Sequence, residues 1–182
     1  MSVRAYCPTD LEAIYAVVKT ACAYPMCVIM SPAPDTYTPA FINMCGKIAH
    51  NQKKYDDQHF LLSAPADSSI FNIEPWPELI RSGCVYVQKY DRCAIGCINK
   101  EQAALLSSSP TLLSYFSNLN CSHTHEPCVP QLTGWTWAET SLLIEGLTSL
   151  HQKIMTLAYP STGSGPSDTV DVKDRGAMWR KC

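Results

Sequence analysis

The chain has few charged residues and no concentration of basic ones. Asp, Glu, Lys and Arg make up 16% of its 182 residues, and the formal net charge at pH 7 is −2. Soluble domains average about 25% charged residues. Nucleic-acid-binding proteins carry a basic stripe, whereas the adjacent basic pairs here are only Lys53-Lys54 and Arg180-Lys181. We therefore expect no nucleic-acid partner. Weak electrostatic repulsion between copies also favours self-association.

Long apolar runs and familiar catalytic motifs are also missing. No apolar run approaches the about 20 residues of a membrane-spanning helix. Asp10 and Glu12 interrupt the region where a secretory signal would be apolar. We therefore expect cytoplasmic synthesis without a signal peptide. The final location could be a virus particle or an intracellular inclusion. No P-loop, dinucleotide fingerprint, Gly-x-Ser-x-Gly or His-Glu-x-x-His motif occurs.

Helix start signals recur along the chain. Capping boxes at 9–12 and 136–139 each precede apolar residues at helical spacing, and Thr38-Pro39 and Ser109-Pro110 have the form of an N-cap followed by proline. The longest predicted helix follows Thr136, and its expected buried stripe consists of Leu143, Ile144, Leu147, Leu150, Ile154 and Leu157. These signals predict four to five helices.

Strand signals are weaker. Residues 58–63 are compatible with one strand, and residues 84–90 and 93–98 indicate two more, joined by a turn at Asp91-Arg92. Between residue 98 and Ser109 we expect a short helix. The predicted fold is therefore α+β, with the helices around a small antiparallel hairpin sheet and an extended C-terminal arm.

Composition divides the chain at residue 160. Residues 1–159 are expected to form one globular domain, whereas 160–182 opens with a Gly/Ser-rich linker. The linker precedes apolar residues that are expected to anchor an arm on another subunit, namely Val170, Val172, Met178 and Trp179. The terminal Cys182 is the candidate for an intersubunit disulfide.

Ten cysteines are present, a content of about 5%, below the roughly 8–10% of a disulfide scaffold. Because cytosolic thiols stay reduced, we expect most to be small buried side chains. A second interpretation is that several oxidise later, within an assembly or after cell lysis.

One segment concentrates cysteine and histidine. Cys121, His123, His125 and Cys128 supply the thiolate and imidazole ligands of a structural zinc site. Four ligands within so short a segment converge with difficulty, so three of them plus a distant Cys or His are more reasonable. Cys121 as a catalytic nucleophile is less favoured, because Pro127 and Pro130 argue against a helix that begins there.

A second pattern is the run Val-Arg-Ala-Tyr-Cys-Pro-Thr-Asp-Leu-Glu-Ala-Ile-Tyr-Ala-Val-Val-Lys at 3–19. It resembles the opening strand and helix of the N-acetyltransferases that use acetyl-coenzyme A, and the predicted hairpin at 84–98 resembles their central strands. The resemblance implies a divergent acyltransferase. The glycine-rich cofactor loop of that family is absent before the long helix, where Gly134-Trp-Thr-Trp137 stands instead.

The features together favour a non-enzymatic structural protein that self-assembles, such as a viral coat or the crystalline matrix of an occlusion body. Low charge, a terminal cysteine and tryptophans at loops or element ends support this interpretation. The first alternative is a small zinc-binding adaptor built on the loop at 121–128, with zinc as its one candidate cofactor. The second is the divergent acyltransferase.

Overall fold

The computed structural model describes residues 25–32, 38–97, 101–125 and 134–159. Within these ranges the strands are β1 (Cys27–Met30), β2 (His59–Pro65), β3 (Tyr86–Asp91) and β4 (Gln102–Ser107). The α-helices are α1 (Pro39–Gln52), α2 (Trp76–Arg81), α3 (Pro110–Ser114) and α4 (Trp137–Ala158). Two 3-10 helices, Ser69–Asn72 and Arg92–Ile95, complete the elements. The predicted α+β class is confirmed.

The four strands form one mixed sheet in the order β1-β2-β4-β3. After β1, helix α1 carries the chain back to the starting end of the sheet. Strand β2 can therefore pair with β1 in parallel, with Cys27 opposite His59. Strand β4 is antiparallel to both of its neighbours, with Leu62 and Val87 opposite Leu106 on either side. Strand β3 is therefore an edge strand, and the chain that follows it is free to leave the sheet.

Each face of the sheet supports its own apolar core, because successive side chains of β2 point in opposite directions. Phe60 and Leu62 face α1 and α2, where they pack with Cys45, Ile48 and Trp76. Leu61 faces the other side and joins residues of β4, α3 and α4, including Leu105, Leu112, Phe116, Leu147 and Leu150. The sheet is thus the middle layer between two pairs of helices.

Three of the four predicted helix starts are confirmed, and the fourth, at 9–12, lies outside the described residues. The hydroxyl of Thr38 accepts a hydrogen bond from Phe41 N at 3.2 Å, and that of Ser109 accepts one from Leu112 N at 3.4 Å. Thr136 and Glu139 form a reciprocal capping box at the start of α4. Each pair satisfies amide groups that a helix leaves without internal partners.

The predicted strand over 93–98 and the predicted helix after it are both wrong. The chain turns through the 3-10 helix Arg92–Ile95 and ends it at Gly96, whose φ is +96°. The partner of β3 is instead Gln102–Ser107, a segment of alanine and leucine that is buried from Ala103 to Ser107. Burial between two helical layers overrides the helix propensity of this segment. The predicted hairpin sheet is thereby replaced by the mixed sheet.

The buried stripe predicted for α4 is correct in part. Leu143, Leu147 and Leu150 are buried, whereas Ile144 is 54% exposed and Leu157 is 74% exposed. The helix extends past the core at its C-terminal end, so Leu157 meets no neighbouring layer formed by the described residues. No helix among the described residues is long and apolar enough to cross a membrane.

Several predictions lie outside the described residues. They are the first helix, the boundary between the domain and the arm at residue 160, and the whole of the arm. The proposed anchors Val170, Val172, Met178 and Trp179 and the proposed intersubunit cysteine Cys182 belong to this group. They stay predictions.

Replacing Gly46 by alanine is expected to destabilise the protein. A Cβ at this position in α1 would overlap Pro75 Cγ and lie 2.7 Å from Pro75 Cδ. Because the rigid proline ring has little freedom to move, Gly46→Ala should lower the free energy of unfolding by about 1–3 kcal/mol, as overpacking does. Urea denaturation measures this change.

Gly146→Ala in α4 is the matched control. The nearest atom to its added Cβ is Tyr115 Cδ2 at 3.3 Å, in a side chain that can shift. Removing a helical glycine contributes about 1 kcal/mol of stability, so this variant should stay within about 1 kcal/mol of the parent. Equal losses in the two variants would contradict the close approach of α1 to Pro75.

Candidate metal centre

Three consecutive residues at the end of β3 each reach a different part of the chain. Asp91 accepts a hydrogen bond from the backbone of Cys121, and Arg92 pairs with Glu139 at the start of α4. Cys93 joins a cluster of potential metal ligands. The 3-10 helix makes this divergence possible, because its tight turn directs successive side chains to different sides of the backbone.

The cluster consists of Cys93, Cys121, His123 and His125, whose donor atoms all lie within 4.8 Å of one another. Cys121 Sγ lies 3.0 Å from His125 Nε2 and 3.4 Å from His123 Nδ1. The two imidazole rings lie side by side, with centroids 4.3 Å apart. Two sulphurs and two nitrogens from two separate segments therefore converge on one small volume.

These separations are close to those of a tetrahedral zinc site. Zn–S bonds of about 2.3 Å and Zn–N bonds of about 2.0–2.1 Å place neighbouring ligand atoms about 3.3–3.8 Å apart. The two contacts of Cys121 Sγ with imidazole nitrogens, at 3.0 and 3.4 Å, need little adjustment to meet that range. The donor set matches zinc by chemistry, and the widest separation between donor atoms, up to 4.8 Å, would have to shorten by about 1 Å to reach tetrahedral spacing.

Asp91 holds the loop that carries three of the four ligands. Its Oδ2 accepts a hydrogen bond from Cys121 N at 2.8 Å, and its Oδ1 accepts one from Gln102 Nε2 at 3.2 Å. The backbone N–H of Asp91 donates to Leu119 O at 2.8 Å. The loop is thus fixed to the end of β3 on both sides of Asn120, which sets the position of Cys121 relative to Cys93.

The environment of Cys93 disfavours its thiolate while no cation is near. Burial, followed by the hydrogen bond and charge of Cys121 and the charge of Asp91, raises the pKa of Cys93 to about 11. A divalent cation stabilises a thiolate directly, so metal binding here would displace a proton. Cys93 is buried, His123 is exposed, and Cys121 and His125 are half-buried, which leaves the cluster accessible from one side.

A buried ion-pair network fixes the other side of this turn. Arg92 Nε donates to Glu139 Oε1 at 2.7 Å, and Nη1 donates to Glu101 Oε2 at 3.0 Å. Arg92 Nη2 donates to Glu139 Oε2 at 2.8 Å and to Gly134 O at 2.9 Å, and Tyr90 Oη donates to Glu139 at 2.6 Å. The side chains of Arg92 and Glu139 are only 4% and 3% exposed.

The network shifts the pKa values of Glu139 and Tyr90. Desolvation alone would raise the pKa of Glu139, but hydrogen bonds from Arg92, Thr136 N and Tyr90 outweigh it and hold that pKa below its ordinary value. Burial, and then the hydrogen bond and charge of Glu139, raise the pKa of Tyr90. The carboxylate is therefore the charged form in the folded protein, and the phenol stays neutral.

A pocket of about 180 Å³ lies beside this network, at the carboxyl ends of β1 and β2. Its lining includes Ser31, Ser63 and Trp135, together with Arg92 and Glu139. The guanidinium and the carboxylate there bind each other, so neither offers a free charge to a ligand. The pocket is a recess of mixed polarity next to a structural ion pair.

The structure brings together three of the four predicted metal ligands. Cys121, His123 and His125 lie in the cluster, and Cys128 lies outside the described residues. The fourth member is Cys93. The sequence predicts a distant Cys or His in this place but does not indicate which one. The sequence pattern instead predicts a strand that begins at Cys93. No local signal distinguishes this cysteine from the others of the chain as a metal ligand.

The acyltransferase resemblance loses part of its basis. Residues 3–19 lie outside the described residues, and the predicted second strand at 93–98 begins as the 3-10 helix Arg92–Ile95. The described residues at the start of α4 contain only Gly134 before the N-cap Thr136, so no glycine-rich turn is formed by them.

Comparison of the chain with protein-family models, with curated proteins and with solved structures found no match. The interpretation of the site therefore depends on its own atoms. The convergence of two thiols and two imidazoles is the observation that carries it.

Glu139→Gln is expected to destabilise the protein strongly. Removing the charge of Glu139 leaves the buried Arg92 with Glu101 as its remaining carboxylate partner, and breaking one pair of such a buried network costs up to about 3–5 kcal/mol of unfolding free energy. The exposed pair between Arg81 and Glu74, with side chains 73% and 62% exposed, provides the control. Glu74→Gln should change stability by less than about 1 kcal/mol. Similar effects of the two variants in urea denaturation would contradict the structural role of the network.

The same network predicts a dependence of stability on pH. Because the folded-state pKa of Glu139 lies below the ordinary value of 4.5, its contribution is present above about pH 4.5 and is lost as pH falls through the folded-state pKa. Glu139→Gln should lack this component of acid destabilisation. Denaturation curves between about pH 3 and 6 compare the two chains.

Proposed function

We propose that this chain is a small, non-enzymatic zinc-binding adaptor. The single observation that carries the proposal is the convergence of the donor atoms of Cys93, Cys121, His123 and His125 within 4.8 Å. A mixed set of two thiolates and two imidazoles is typical of structural zinc sites. Softer sulphur ligands disfavour magnesium and calcium, which prefer oxygen.

Four protein ligands argue for a structural site. Catalytic zinc sites usually have three protein ligands and keep the fourth position for water or substrate. Here Cys93, Cys121 and both imidazoles would fill the four positions around one zinc ion, so no position would remain for a reacting molecule. Zinc would join the turn after β3 to the loop after α3, two segments that are otherwise connected through hydrogen bonds of Asp91.

The purified full-length chain is expected to bind one zinc ion. Excess zinc should raise the melting temperature, because a ligand at a hundred times its Kd adds about 2.7 kcal/mol of stability. Cobalt substitution should give the absorption of a tetrahedral thiolate site. Cys93→Ser and Cys121→Ser should both lose stoichiometric zinc, as measured by elemental analysis after gel filtration.

Two further serine variants are the controls. Cys84 is exposed and lies outside the cluster, so Cys84→Ser should keep one equivalent of zinc. Cys128→Ser should also keep it if Cys93 is the fourth ligand. Loss of zinc in Cys128→Ser together with retention in Cys93→Ser would instead support a site made by the 121–128 segment alone.

Self-assembly is the second candidate function, supported by an apolar stripe on the outer side of α4. The stripe consists of Trp137, Ile144, Met155 and Tyr159, which are 84%, 54%, 44% and 68% exposed. They are seven, eleven and four positions apart, close to two, three and one turns of about 3.6 residues. Thr148 and Gln152 separate Ile144 from Met155 on this face, so the exposed apolar surface lies mainly at the two ends of the helix. Exposed apolar surface of this kind is typical of protein–protein contacts. Trp76, by contrast, is fully buried, so only part of the tryptophan content supports this function.

If this stripe joins copies of the chain, a charge placed on it should weaken their association. Ile144→Glu and Met155→Glu should each shift sedimentation toward a 20.1 kDa monomer. Lys153→Glu is the control, because Lys153 is exposed on α4 but lies off the stripe. A parent chain that is monomeric at every concentration, with and without reductant, would defeat self-assembly.

A further inference from the structure

The two sulphurs of the candidate metal centre can also form a bond with each other. Cys93 and Cys121 come from different segments, and their Sγ atoms lie within 4.8 Å. The backbone around both is held independently of any metal, through Asp91 on the loop side and Arg92 on the turn side. Loss of a metal ion would therefore leave the two sulphurs near each other.

We propose that peroxide exchanges the zinc cross-link of this site for a Cys93–Cys121 disulfide, so that oxidation releases the metal. The inference rests on the proposed zinc-binding function and adds its regulation by a hydroperoxide. The two cross-links join the same two segments. The turn after β3 and the loop after α3 thus stay connected in both redox states, and what changes is whether His123 and His125 are ligated.

The roles of the two cysteines differ because their exposure differs. Cys121 is half-buried, whereas Cys93 is 7% exposed. Hydrogen peroxide therefore reaches Cys121 first. The imidazoles of His125 and His123 lie at 3.0 and 3.4 Å from Cys121 Sγ, on the same loop. Cys93 then acts as the resolving thiol.

The reaction proceeds in two displacements. The Cys121 thiolate attacks one peroxide oxygen, the O–O bond breaks, and the departing hydroxide takes a proton to become water; Cys121 becomes a sulfenic acid. Cys93 attacks the Cys121 sulphur, the S–S bond forms, the S–O bond breaks, and the second hydroxide leaves as water with the Cys93 proton. Two thiols and one peroxide thus give one disulfide and two waters. From the zinc form, two solvent protons are consumed and Zn²⁺ is released.

Other described cysteines are less suited to this chemistry. Cys27, Cys45 and Cys97 do not belong to the cluster, so none of them lies beside a second thiol there. Cys84 is exposed but does not belong to the cluster. Cys84→Ser is therefore the matched control for a reaction centred on Cys121.

The experiment treats the zinc-loaded full-length chain with increasing hydrogen peroxide. A chromogenic chelator measures released zinc, and peptide mapping by mass spectrometry identifies the cross-linked cysteines. We expect release to reach one equivalent per chain in step with a Cys93–Cys121 linked peptide, and dithiothreitol followed by zinc to restore the loaded form. Cys84→Ser should behave like the parent. Under the same treatment without zinc, Cys93→Ser should accumulate a Cys121 sulfenic acid that dimedone traps.

The outcomes separate this inference from the proposed function. Stoichiometric zinc that peroxide does not release, or releases with sulfinic acids and no Cys93–Cys121 peptide, would overturn the redox exchange and leave the zinc site intact. A chain that binds no zinc yet forms the same disulfide from its thiols would overturn the zinc site instead, and with it the metal-release step.

Discussion

The buried guanidinium of Arg92 is the constraint on which the arrangement of this protein depends. A cation that is only 4% exposed requires partners, and it finds them in Glu139 of α4, Glu101 before β4 and the carbonyl of Gly134. The start of α4, 47 residues away at Glu139, and the residue before β4 therefore meet at the first residue after β3. Replacing such a network by apolar residues is often neutral or stabilising. Its contribution is thus to fix where these segments lie, and only secondarily to add stability.

The candidate metal centre follows from that constraint. Once Arg92 is held, the neighbouring residues Asp91 and Cys93 have fixed directions. Asp91 binds the backbone of Cys121, and Cys93 supplies the thiol that the loop lacks. The site lies just after Asp91, where β3 ends and its pairing with β4 stops. A 3-10 turn and an irregular loop can approach each other there without disturbing the sheet, which is why functional groups commonly occur on loops held by a rigid scaffold.

The outer face of α4 relates the site to the rest of the molecule. The inner face of this helix carries Leu143, Leu147 and Leu150 against the sheet, and its first turn carries Glu139 into the Arg92 network. Its outer face exposes a second apolar stripe from Trp137 to Tyr159. One helix therefore joins the core, the ion-pair network and a surface suited to protein contact. An adaptor and a self-assembling protein could both use this arrangement, since exposed apolar surface marks sites of protein contact.

The sequence by itself determined the local features. Capping residues such as Thr38, Ser109 and Thr136 specify helix starts through hydrogen bonds within a few residues. The potential metal ligands Cys121, His123 and His125 are recognised from their residue types and close spacing. Tertiary structure decided the rest. Burial on both faces made residues 102–107 a strand despite their helical propensity. Folding alone brought Cys93 to the cluster of Cys121, His123 and His125 and made Glu139 the partner of Arg92, because such contacts are set by the packing of the sheet and not by spacing along the chain.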